Sequence, residues 1–111
     1  MSPDAGLLQD MLNSARVAVE HVGGATADEF ADNVKMQDAA LWRLAVIGEA
    51  ANKVSAATRQ ALPLPWSEII GMRHVAIHHY RKLDMRRVWA TIHDRLPPLI
   101  DQLAAHLARH P

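Results

Sequence analysis

Apolar residues recur every three or four positions along almost the whole chain, and that spacing limits the fold more than any other feature. Leu8, Met11, Leu12, Ala15, Val19 and Val22 form one such stripe, and Leu41, Leu44, Ala45, Gly48, Ala51 and Ser55 mark one side of a second segment. Val88, Ile92, Leu96, Leu99, Leu103 and Leu107 form a third. At about 100° of turn per residue each set falls on one side of an α-helix. No stretch shows the strict alternation of a half-buried strand. Alanine and leucine dominate the apolar half of the composition and aromatics are few, which also favours helices.

Punctuation between the stripes divides the chain. Ser2-Pro3-Asp4 reads as a helix start, with Ser2 as cap, Pro3 in the first turn and Asp4 favourable to the helix dipole. Gly23-Gly24 ends that helix, and Thr26 with Glu29 three residues on forms a capping box for a short second helix that breaks near Asn33. A long helix follows over about residues 34–55, then one or two turns within residues 56–62. Pro63 and Pro65 interrupt the pattern, and Pro65 fits the first turn of a helix anchored by Ile69, Ile70 and Ile77. Asp84 is a natural cap for the last helix. Pro97-Pro98 lies within that helix, where an internal proline costs about 3 kcal/mol, so a kink or restart is expected. The expected architecture is all-α, one domain over residues 1–111, an antiparallel bundle of four main helices with short extras.

Several functional classes are disfavoured. The 111 residues suffice for one core. No apolar run approaches the ~20 residues of a membrane span, and residues 1–10 lack the pattern of a signal peptide. With no cysteine there is neither disulfide nor thiolate metal site, which fits a reducing cytoplasm. The net charge is zero, but its distribution is uneven: residues 1–70 carry five Lys/Arg against nine Asp/Glu, and residues 71–95 carry six against two. Four of the seven histidines also lie in the positive stretch. Arg81, Lys82, Arg86 and Arg87 there are candidates for holding phosphate, set against the commoner role of a solvated helix face.

Residues 71–80, G-M-R-H-V-A-I-H-H-Y, concentrate the chemistry. Interleaved Val75, Ala76 and Ile77 argue that this segment is an ordered helix. Residues five apart sit about 140° around and roughly 7.5 Å along a helix, so Arg73 and His78 flank a groove. His74 and His78, four apart, share a face that would form its floor. A permanent cation beside a group that titrates near neutrality suits phosphodiester chemistry. Glu49, set among small residues of the long helix, needs a partner, for which an arginine of the motif helix competes with solvent. The alternative for His74 and His78 is a zinc pair, but no Glu follows His74 as H-E-x-x-H requires and no cysteine is available. No metal or other cofactor is therefore assigned. Trp42, Trp66 and Trp89 sit in apolar helical contexts and read as core or dimer contacts rather than platforms for bases.

The chain resembles the HepT-like toxins of the HEPN superfamily. The resemblance rests on Arg73-x4-His78-x-Tyr80, on I-G-E-A-A-N-K-V at residues 47–54, on P-W-S-E-I-I-G-M at residues 65–72 and on L-P-P-L at residues 96–99. His74 stands where close relatives commonly carry Asn. The resemblance implies a helical, cytoplasmic, metal-independent endoribonuclease toxin of a type VII-like toxin–antitoxin pair, with Arg73 and His78 catalytic and His74 at the polar position after the arginine; Glu49 is a supporting polar candidate from its own place in the long helix. It further implies a homodimer in which two motifs face one cleft, and a substrate that is RNA and not DNA. Tyr80 would be the residue AMPylated by a cognate MntA-like nucleotidyltransferase antitoxin. The competing expectation is a non-catalytic helical partner or substrate-binding subunit of such a nucleotidyltransferase.

Overall fold

A computed structural model of the chain describes residues 3–78 and 84–110, the side chains of Val75 and His78 excepted. Every regular element among the described residues is helical. The first helix, α1 (Pro3–Val22), stops at Gly23, whose φ of 55° is a backbone state that glycine adopts without strain. Thr26 and Glu29 close the capping box of α2 (Ala27–Ala31) in both directions. Asn33 caps α3 (Val34–Lys53) by accepting the Met36 N–H, and Ser55 caps the short α4 (Ala56–Ala61). Ser55 thus opens α4 instead of closing α3.

Helix α5 (Trp66–His78) begins one residue after Pro65, whose carbonyl accepts the Ile69 N–H at 3.0 Å. Asp84 caps α6 (Met85–Ala90) by accepting the Arg86 N–H. The chain then widens into one π turn, Thr91–Arg95, before α7 (Leu96–Arg109). That turn immediately precedes Pro97 and Pro98, which cannot donate to carbonyls one α-turn back and would crowd them. The expected interruption is therefore a change of helical pitch just ahead of the prolines. Ser2, the expected cap of α1, lies outside the described residues.

The long helices form the expected antiparallel bundle. Asp4, at the start of α1, accepts hydrogen bonds from the Ser55 and Thr58 hydroxyls beyond the end of α3, so these two helices run in opposite directions. The Ser55 and Thr58 bonds hold the Asp4 carboxyl below its ordinary value. Trp89 of α6 donates its indole N–H to Ala25 just past the other end of α1. Helix α1 packs against both α3 and α7, and α5 packs against α3. Met11, Phe30, Ile47, Ile69, Ile92, Leu96 and Leu103 are the largest fully buried side chains. The bundle measures 42 × 27 × 18 Å.

Two apolar residues are not where periodicity puts them. Trp42 is 66% exposed and Ile77 47%, so neither belongs to the core; Ile69 anchors α5 as expected, with Met72 in place of Ile77. Both exposed side chains lie on the open side of the α3–α5 pair. Gly48 explains how close that pair is. A Cβ built there would lie 2.6 Å from the Arg73 nitrogen, 2.7 Å from the Arg73 Cβ and 3.0 Å from the Ile70 carbonyl. The small-residue stripe of α3 serves packing within the chain at this point. Gly48→Ala forces the two backbones apart at a strain of about 1–3 kcal/mol, more than the ~1 kcal/mol alanine gains in helix propensity. The urea midpoint of the variant is expected to fall with the slope of the transition unchanged.

Candidate functional site

The close crossing at Gly48 places Arg73 of α5 beside the next residue of α3, Glu49. The Arg73 Nε lies 2.6 Å from Glu49 Oε2, while the other carboxylate oxygen faces Lys53 Nζ at 3.6 Å. The Arg73 and Glu49 side chains are 45% and 46% exposed, so water and a solute can both reach the pair. The arginine expected as a partner for Glu49 is therefore Arg73.

Beside this pair runs a groove of about 350 Å³, bounded by α1, α3 and α5. Leu7, Ala45, Val46 and Ala50 give it an apolar floor, Trp42 and Ile77 an apolar wall, and Asp10, Glu49, Lys53 and Arg73 its charged positions. Arg73 and Ile77 are four residues apart and so share one face of α5. His74 is exposed and is not among the described lining residues, whose floor is aliphatic. His74 lies about 100° around the helix from Arg73.

His78 is the last residue of α5, five residues after Arg73 on one uninterrupted helix. Its side chain, with Tyr80, Arg81 and Lys82, lies outside the described residues. Of the other phosphate-binding candidates, Arg86 is bound to Asp28 of α2 through Nε at 2.9 Å, and Arg87 is exposed on α6. Arg95 pairs with Glu68 at 3.2 Å. Trp66 and Trp89 are part-buried, each donating its indole N–H to a backbone carbonyl. Their roles are those of packing residues.

Sequence reasoning missed Lys53, Asp10, Trp42 and Ile77 as members of the groove. Lys53 had a signal, since it lies four residues after Glu49 and (i, i+4) Glu–Lys pairs face one another on a helix. Trp42 and Ile77 had none, because an apolar residue at helical spacing reads as core. Among the described residues no group of three or more His, Cys, Asp or Glu is set to hold a metal ion. None of the described helices is long and apolar enough to cross a membrane.

The family model described as "Ribonuclease HepT-like" matches residues 11–105, which include Glu49, Arg73 and His78. "Putative RNase MJ1380" of Methanocaldococcus jannaschii is 30% identical over 93 residues, covering 83% of this chain and 85% of that protein. "Putative RNase TTE0752" of Caldanaerobacter subterraneus subsp. tengcongensis is 31% identical over 97 residues, 86% of this chain and 87% of its own. "Probable ribonuclease HepT" of Thermococcus cleftensis is 29% identical over 93 residues, 83% and 84% of the two chains. No solved structure gives a significant match.

Proposed function

Because the chain belongs to the HepT-like ribonuclease family, we propose that it is the endoribonuclease toxin of a type VII-like toxin–antitoxin pair, cleaving RNA without a metal ion. The observation that carries this reading is Arg73, held half-exposed at a groove by Glu49 and followed on the same helix by His78. RNA brings its own nucleophile, the 2′-hydroxyl, so the protein need only move protons and stabilise charge. His78 accepts the 2′-hydroxyl proton as its oxygen bonds to phosphorus, imidazole being the side chain that ordinarily takes up and gives up protons near neutral pH. The bond from phosphorus to the 5′-oxygen breaks, and that oxygen receives a proton. Arg73 donates hydrogen bonds to the non-bridging oxygens, where charge accumulates in the transition state. The products are a 2′,3′-cyclic phosphate and a 5′-hydroxyl, and a strand lacking the 2′-hydroxyl is not cut. A matched 2′-deoxy oligonucleotide tests this: its cleavage at the ribose rate would contradict the mechanism.

One imidazole does not easily serve both sides of the phosphorus. A homodimer resolves this if the partner's His78 protonates the leaving oxygen. The exposure of Trp42 at 66% and Ile77 at 47% beside the groove supports such a seam, since adjacent large apolar side chains on a surface mark contact sites. Such a protein would work in the cytoplasm, where its RNA is.

Regulation follows at Tyr80. A cognate MntA-like nucleotidyltransferase adds AMP to its hydroxyl, and each unit brings a phosphodiester charge close in sequence to Arg81, Lys82 and Arg87, and to Arg86, which would exchange Asp28 for it. The modification and the substrate then compete for one basic surface. Co-expression with that enzyme is expected to raise the mass of the wild-type chain in AMP steps and silence it, whereas Tyr80→Phe gains no mass and stays active. An adduct on another residue would return Tyr80 to a packing role.

A further inference from the structure

We infer that Glu49 is the positioning residue for Arg73, fixing the guanidinium so that its terminal nitrogens face the scissile phosphate; this inference rests on the RNA-cleaving reading above. The carboxylate meets Arg73 through Nε at 2.6 Å. A guanidinium is a planar fork, so a contact at Nε fixes the plane and leaves the Nη end for a second anion. Phosphate binding by arginine uses that end, often through two parallel hydrogen bonds.

The pair is not explained by stability alone. Both side chains are nearly half exposed, and exposed ion pairs contribute little to folding. The backbone, by contrast, is built tightly around it. The approach of α5 at Gly48, where no Cβ fits, sets the Arg73 backbone against the residue preceding Glu49. The arginine is therefore fixed at its root by the helix crossing and along its length by the carboxylate. Lys53, at 3.6 Å from the second carboxylate oxygen, holds Glu49 from the opposite side on its own helix. An arginine freed from Glu49 keeps its charge but samples many rotamers, and misplacement by about 1 Å can cost roughly 10²-fold in rate.

The experiment compares wild type, Glu49→Ala and Glu49→Gln on one RNA oligonucleotide, with thermal melting to verify that each is folded. Glu49→Ala is expected to lower kcat by roughly 10–100-fold with KM changed little. Glu49→Gln, whose amide oxygen still accepts from Nε, is expected to recover to within a few-fold of wild type. A kcat for Glu49→Ala equal to that of wild type overturns the inference, and so does a Gln variant as impaired as the Ala variant. A second readout does not depend on activity: the Arg73 Nε–H resonance exchanges slowly with water in wild type and Glu49→Gln, and rapidly in Glu49→Ala. Absence of RNA cleavage by wild type counts against the ribonuclease reading alone, whereas rapid exchange of that proton in wild type counts against Glu49 alone.

Discussion

His78→Ala lowers RNA cleavage by about 10²–10⁴-fold, the range general acid–base catalysis supplies, while the protein remains folded. Two features lead to this expectation. His78 is the last residue of α5, beyond the buried Ile69 and Met72 that fix the helix to the bundle, so losing its ring leaves that packing in place. Proton transfer, by contrast, has no substitute at that position: Arg73 cannot give up its proton at any accessible pH. His74 precedes it by four residues on the same helix but does not line the groove. Single-turnover cleavage at pH 7, with a thermal melt of each protein, checks both parts. A variant that retains full activity would remove His78 from the chemistry.

Arg73→Ala is expected to lower the rate by about 10²–10³-fold, equivalent to about 2.7–4 kcal/mol of transition-state stabilisation. Its effect has a different signature. The interaction with the non-bridging oxygens strengthens as charge develops, so kcat falls more than KM rises. The substitution also releases Glu49, whose carboxylate then faces the incoming phosphate with Lys53 alone among the described residues to balance it. The double variant Arg73→Ala/Glu49→Ala therefore recovers part of the loss. Measuring kcat and KM for the single and double variants separates lost stabilisation from introduced repulsion. A rise in KM with kcat unchanged would assign Arg73 to ground-state binding.

Helix boundaries were legible in the sequence because their causes are local. Gly23, the Thr26–Glu29 box, Asn33 and Asp84 act on backbone groups within a few residues, and each does so in the structure; Ser55, read as the end of α3, caps α4 instead. The course of the chain near Pro97-Pro98 was foreseen as an interruption, but its form as a π turn depends on how α6 is held against α2 and α7 against α1. The site was legible as a motif and less so as a surface. Arg73 and His78 announce themselves by chemistry and spacing along one helix. The groove at Arg73, however, is made by three helices, and its wall residues Trp42 and Ile77 carry no local sign that the bundle leaves them uncovered. Periodicity identifies an apolar face without telling whether this chain or another molecule covers it. The Glu49–Arg73 pair lies between these cases. A carboxylate beside a glycine in a small-residue stripe suggests a close helix crossing, but only the crossing itself, at Gly48, selects which arginine answers it.

The central claim is that Arg73 and His78 cleave RNA through its own 2′-hydroxyl. End-group analysis of an oligonucleotide digested by the purified, unmodified protein in excess chelator tests it most directly. The predicted products carry a 2′,3′-cyclic phosphate, or the 2′- or 3′-phosphate formed from it, opposite a 5′-hydroxyl, and both form about 10²–10⁴-fold more slowly with His78→Ala. A 5′-phosphate opposite a 3′-hydroxyl, or cleavage that stops when chelator is added, would contradict it.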